Sequence, residues 1–310
     1  MGERASVSWR ARFRSRRLNN LSIFSACVLI WGTTWLAITF QLGPVAPEVS
    51  VSHRFLLAAL LIALWCRWRG LSLRFRAREH LALALMGGLM YGFAYIAVYH
   101  AEQHLASGLV AIGYSASPLL SALGARAFLG QRFSVRLLAG AMLGLAGISL
   151  VYSPELGRLE AGHEAALGVG FTLAAVLIST GGGLLAQRNH QRGLHGWPTM
   201  AWSMGYGALA SLAVALALGR PYAIDLGASY LLSLLYLSVL GTVITFAGWL
   251  TLVGRIGAAR ASYVGVMAPV VALFVSTLFE NFSWHPLTAA GVVVSIAGNV
   301  LVLRQPAPSA

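Results

Sequence analysis

Aromatic and hydroxyl side chains recur at helical spacing in three apolar stretches of the chain. Trp31, Thr34 and Trp35 stand at i, i+3 and i+4 and so share one face of a helix. Tyr91, Tyr95 and Tyr99 recur every four residues, and Thr242, Thr245 and Trp249 stand at i, i+3 and i+7. Turned toward one another, such faces make a cage of rings and hydroxyls that can hold an amphiphilic or cationic solute by stacking and cation–π contact. The same spacing serves interhelical packing, with hydroxyls bonded to backbone and rings belting the membrane interface. Both readings stand on the residues alone.

Arg54 lies within an apolar stretch, about one turn from its end. A charge within a membrane span marks function by default, here attraction of a substrate carboxylate or closure of a gate, with Glu48 or Glu102 as a partner. The competing reading is a side chain that snorkels to the headgroups. Pro118 and Pro269 each remove a mid-helix hydrogen bond and free a carbonyl, as a polar point or simply as a kink. The run His100-Ala101-Glu102-Gln103-His104 has two histidines at i, i+4, but the Glu is misplaced for a metalloprotease helix and no third ligand is evident. Neither a metal nor any other cofactor is expected.

The elements that must position these residues are set by composition. Hydrophobic residues make up 58% of the 310 residues, charged residues 10%, and mean hydropathy is +0.73. A soluble domain carries about 25% charge, so the chain reads as an all-α integral membrane protein whose first partner is the lipid bilayer. All 22 basic residues are arginine. Without lysine there is no Walker A loop and no Schiff-base chemistry. A net charge of +13 would suggest nucleic acid in a soluble protein; here the arginines lie between apolar segments, so orientation in the membrane explains them and no nucleic acid is expected. Cys27 and Cys66 sit in apolar stretches as small packing residues.

Apolar stretches of about 17–25 residues signal spans. Ten are predicted, at 20–40, 49–66, 80–99, 105–125, 135–152, 165–187, 198–219, 228–253, 258–279 and 287–303. With the N-terminus cytoplasmic, nineteen arginines fall inside and only Arg158 and Arg220 outside, so both termini are expected in the cytoplasm, the bilayer being a bacterial inner membrane. Residues 1–19 are a basic cytoplasmic tail and 305–310 a second one.

The halves repeat. Pro118 matches Pro269, Gly140 matches Gly291, and Ala146-Gly147 matches Ala297-Gly298, all at an offset of 151 residues. Five helices per half is an odd number, so residues 165–304 enter the membrane upside down relative to 20–152, with 153–164 as an outer linker. Gly140/Gly144, Gly88/Gly92 and Gly181-Gly182-Gly183 are expected to let helices approach closely.

Trp31-Gly32-Thr33-Thr34-Trp35 resembles the opening signature of the EamA family in the drug/metabolite transporter superfamily. His53-Arg54-Phe55 resembles the start of that family's second helix, and Ala106 through Pro118 to Leu129-Gly130-Gln131-Arg132 its fourth. Gly140 to Tyr152, Pro269 and Gly298 complete the pattern, over about residues 20–304. The resemblance implies two inverted five-helix repeats and outward movement of small metabolites, often amino acids or related compounds, driven by secondary gradients with a proton as one candidate coupling ion. The sequence departs from the pattern at Gln131, where the family often has Glu, and at Glu280, which lies closer to Pro269 than the usual spacing.

The leading expectation is a secondary transporter, monomeric or homodimeric, with a small-molecule substrate held by Trp31, Thr34, Trp35, Arg54, Tyr91, Tyr95, Pro118, Thr242, Thr245 and Pro269. The alternatives are a passive channel and a membrane-embedded enzyme or sensor. An enzyme would need a constellation of acids, His or Ser within the spans, which hold almost no acids.

Overall fold

The computed structural model describes residues 3–117, 120–121, 123–124, 127, 135–156 and 162–303, with backbone alone for residues 3–18, 136–137, 141, 155–156, 162, 258–259 and 302–303. Every regular element among them is helical. We number them α1 (Glu3–Thr39), α2 (Pro47–Trp68), α3 (Ala77–Glu102), α4 (Ser107–Ala116), α5 (Val135–Leu156), α6 (Gly162–Gln191), α7 (Trp197–Ala217), α8 (Ala228–Ile256), α9 (Tyr263–Phe279) and α10 (Pro286–Leu303). A one-turn helix, Ala258–Ala261, precedes α9. Six stretches are long and apolar enough to cross a bilayer: Asn19–Thr39, Pro47–Trp68, Ala77–Glu102, His163–Gln191, Trp197–Ala217 and Ala228–Ile256. Four shorter apolar helices coincide with the remaining predicted stretches. This is a multi-pass membrane protein, and side chains such as Leu64, Leu81, Leu232 and Phe274 lie exposed where lipid would cover them.

Helix boundaries follow local chemistry. Pro47 opens α2, Pro198 lies in the first turn of α7, and Pro286 opens α10; at these positions the missing N–H has no partner to lose. α2 and α7 end in the same turn. Gly70 and Gly219 both adopt φ +66°, a conformation that costs glycine nothing, and it brings Leu71 N to Cys66 O and Arg220 N to Ala215 O, each at 2.8 Å.

The 151-residue offset reappears in the elements. It carries Pro47 onto Pro198 and the first residues of α3 and α5, Ala77 and Val135, onto those of α8 and α10, Ala228 and Pro286. Both α3 and α8 contain a π-helical segment, Gly88–Phe93 and Tyr236–Ile244, whose last residues are again 151 apart. Such segments are rare and unwind the regular hydrogen-bond ladder.

Packing obeys the same relation. α2 packs on α7, α4 on α9 and α5 on α10, each helix against its counterpart. α1 meets α8 as α6 meets α3, and α1 meets α9 as α6 meets α4. At the α5–α10 crossing a Cβ on Gly147 would stand 2.5 Å from Ser295 N, one on Gly291 2.5 Å from Gly147 O, and one on Gly298 2.6 Å from Gly140 O. Backbones touch there because no side chain intervenes. Of the other predicted small contacts, Gly92 and Gly182 lie against Gly207 and Met90, whereas Gly88 and Gly181 are in ordinary contact and nothing lies near Gly183.

Helix ends gather at two poles. Tyr99–Gln41, His100–Glu48, His104–Glu164 and Ser107–Glu280 bonds close one, which also holds Asp225. Trp202–Leu73, Tyr206–His80 and Asn189–Ala82 bonds close the other, where Arg67, Arg69, Arg74, Arg76, Arg78, Arg188, Arg192, Arg255 and Arg260 lie.

Candidate functional site

Arg54 lies about two turns inside α2, deeper than its distance from the apolar boundary suggests, and only 3% of it is exposed. It stays within the bundle rather than reaching the headgroups. Its Cζ stands 4.7 Å from the Tyr95 ring centroid and 5.2 Å from that of Phe55, and its own carbonyl accepts from Ser238 Oγ on α8 at 3.0 Å. Tyr99 also sits against the guanidinium and donates to Gln41 Oε1 at 2.6 Å. Nε and Nη1 of Arg54 are buried without hydrogen-bond partners.

Neither expected partner forms an ion pair with Arg54. Glu48 is bound instead by His100 Nε2 at 2.8 Å. Glu102 is 6% exposed and neither carboxylate oxygen has a partner. Beside them Glu280 is well supplied with donors: Ser107 N reaches Oε1 at 3.2 Å, Ser107 Oγ reaches Oε2 at 2.7 Å, and the Ser276 hydroxyl donates as well.

Next to Arg54 stands an aromatic wall. Tyr91 is buried against Phe55 at 5.3 Å between ring centroids, and Tyr95 meets the same ring edge-on at 4.7 Å. Trp35 of α1 meets Tyr114 of α4 at 5.2 Å, and Ser179 of α6 stands against the Tyr114 hydroxyl. Trp35, Tyr95 and Tyr114 keep accessible surface although each packs on the buried core. Arg54, Tyr91, Tyr95 and Trp35 therefore come together, joined by Tyr114, Gln41 and Ser179, which the spacing argument did not single out.

Trp31 and Thr34 face elsewhere, onto the π segment of α8. Trp31 Nε1 donates to Gly241 O at 3.1 Å, its ring meets Phe246 edge-on at 5.5 Å, and a Cβ on Gly241 would lie 2.6 Å from Thr34 Cγ2. Thr34, Thr242 and Thr245 donate to backbone carbonyls of Trp31, Leu237 and Leu240. The two α8 threonines reach back five residues, satisfying carbonyls that the wider π turn displaces. Trp249 packs with Cys27, Val28 and Leu252 in a separate apolar cluster.

Pro269 is buried inside α9, where α1 crosses closely: a Cβ on Gly32 would stand 3.1 Å from Ala268 O. Pro118, Gln131 and Arg132 lie outside the described residues. His100 and His104 stack on Phe171 of α6 and turn to different carboxylates, Glu48 and Glu164. Among the described residues no three His, Cys, Asp or Glu side chains group as a metal site.

The sequence matches the model of the EamA-like transporter family over residues 20–153 and 166–304. Its relatives include the uncharacterized transporter YoaV of Bacillus subtilis, 24% identical over 88% of this chain and 90% of that one. A probable amino-acid metabolite efflux pump of Escherichia coli is 25% identical over 89% and 93%. A probable terminal-alkyne amino-acid exporter of Streptantibioticus cattleyicolor is 24% identical over 90% and 91%. A solved crystal structure shares the fold with a TM-score of 0.64 at 19% identity, covering 92% of this chain and 97% of the other.

Proposed function

The chain belongs to the EamA-like transporter family, and from that premise we propose a secondary active transporter that moves an amino acid or a related amphiphilic or cationic metabolite outward across the bacterial inner membrane by alternating access. Its ten spans form two inverted five-helix repeats, residues 20–152 and 165–304, with both termini cytoplasmic. The observation that carries this reading is the exchange of helix partners at the 151-residue offset: every major pairing of one half has its mate in the other. Two such halves can rock about the α2–α7, α4–α9 and α5–α10 contacts and expose a site between them to either side. The segregation of arginines to one pole supports the cytoplasmic assignment of that pole.

The site lies where Trp35, Tyr91, Tyr95 and Tyr114 converge beside Arg54. A guanidinium with two nitrogens free of partners suits a carboxylate, and the rings suit the apolar or cationic remainder of the molecule. The relatives named for amino-acid export support this substrate class. Trp31, Thr34, Thr242, Thr245 and Pro269 form the joint between α1, α8 and α9 on which the site moves.

The test is counterflow in proteoliposomes holding the purified protein. Vesicles preloaded with an unlabelled amino acid are expected to accumulate the labelled one transiently, with saturation. Flux that rises linearly with concentration and shows no counterflow would overturn the reading in favour of a channel. Absence of flux for every amino acid would overturn the substrate class.

A further inference from the structure

The three charges near the acidic pole are not equivalent, and their difference has a use. Arg54 comes from α2, Glu102 from the last turn of α3 and Glu280 from the residue just after α9. Arg54 and Glu280 both act electrostatically on Glu102. With all three ionised the group holds one uncompensated negative charge in a place where an ionised carboxylate without partners costs several kcal/mol, on the order of a buried unpaired ion. One proton removes that charge. Glu280 already takes hydrogen bonds from Ser107 N, Ser107 Oγ and Ser276 Oγ, so both its oxygens have donors. Glu102 takes none, and both its oxygens are buried.

We propose that Glu102 is a proton-binding site of this protein, loaded in the conformation described here and emptied when the acidic pole opens to water. The step is a proton transfer alone: the Glu102 carboxyl gives its proton to water admitted at that pole, and the carboxylate left behind is paired by the free nitrogens of Arg54. While the proton stays, the Arg54 charge leans on the faces of Tyr95 and Phe55. These two arrangements of one arginine are the bistable element that a coupling ion needs. The groups within electrostatic reach of Glu102 are Arg54 from α2, Tyr99 from its own helix, Tyr114 from α4 and Glu280 beyond α9. Nearby, α2 also carries Glu48, held by His100; α6 brings Glu164, engaged by His104; and α1 brings the neutral Gln41.

Only one pole has this device. At the 151-residue offset Arg54 meets Gly205, Glu102 meets Val253 and Glu280 meets Leu129, none of which titrates. A proton can therefore bias one side of an otherwise doubled structure. Its use in coupling rests on the transporter reading; its location does not.

The location is read by infrared difference spectroscopy of the reconstituted protein during a pH titration, which needs no substrate. The wild type is expected to show the carbonyl stretch of a protonated carboxyl at neutral pH, and Glu102→Gln to lack it. Glu164→Gln keeps the band. Absence of the band from the wild type, or its survival in Glu102→Gln, overturns the proposal; loss in Glu280→Gln with survival in Glu102→Gln moves the proton to Glu280. Glu102→Gln removes no hydrogen bond and is expected to unfold at or above the wild-type temperature. In vesicles showing amino-acid counterflow, Glu102→Gln is expected to keep counterflow and to lose all acceleration by an imposed pH gradient. Acceleration equal to wild type overturns the coupling role. Wild-type vesicles with no counterflow refute the transporter reading and leave the infrared result to decide the site.

Discussion

Replacing Arg54 by methionine separates a binding role from a structural one. Arg54 is 3% exposed, and two of its guanidinium nitrogens lack hydrogen-bond partners. Each buried unsatisfied donor costs about 1–3 kcal/mol. The cation–π contact with Tyr95, at 4.7 Å, returns about 2 kcal/mol when desolvated. The two donors together cost about 2–6 kcal/mol, so the contact offsets that penalty only in part in the empty protein, and methionine fills a similar volume without the unmet donors. The apparent unfolding temperature is therefore expected to stay level or rise. Transport behaves oppositely. A hydrogen bond between charged partners contributes about 1.5–3 kcal/mol, so losing the substrate carboxylate's partner raises the half-saturating concentration about 10- to 150-fold. The assay is counterflow of a labelled amino acid against concentration, paired with thermal unfolding of the same preparation. A variant that unfolds several degrees lower yet transports with an unchanged half-saturating concentration would refute the reasoning, because Arg54 would then serve the fold and not the substrate.

Three further outcomes follow from the packing. Gly147→Ala drives a methyl to 2.5 Å of Ser295 N and is expected to cost about 1–3 kcal/mol, read as a lower unfolding temperature, whereas Gly170→Ala meets nothing within 4 Å and is expected to keep or raise it. Thr242→Val strips the 2.8 Å bond to Leu237 O from the π segment of α8, a loss of about 1 kcal/mol in stability with slower counterflow as the α1–α8 joint loosens. A reporter fused after residue 310 is expected to be active only in its cytoplasmic form; activity of the periplasmic form would invert the assigned orientation.

Much of the architecture was legible because membrane solvation leaves few options: apolar length dictates spans, and arginines mark one pole. The repeat was visible in Pro269, Gly291 and Gly298 because small and kinking residues are demanded by backbone contact, and backbone contact is what the structure has at Gly147 and Gly291. The π segments were not legible. They arise from the tertiary fit of α3 and α8, and Gly88–Phe93 differs in composition from Tyr236–Ile244. Spacing grouped Trp31 with Trp35, but one turn of helix suffices to send the first to Gly241 and the second to Tyr114. Helical periodicity names a face without naming the helix opposite. The partner of Glu48 was missed for the same reason: His100 lies 52 residues away, and only the closure of α2 on α3 makes them neighbours.

Alternating exposure of the site between the halves is the central claim, and substituted-cysteine labelling tests it most directly. With Cys27 and Cys66 replaced by alanine, Trp35→Cys is labelled by a membrane-impermeant maleimide applied to right-side-out and to inside-out vesicles. We predict labelling from both sides, each slowed by a transported amino acid. Labelling from one side only under every condition, or from neither, would contradict the account.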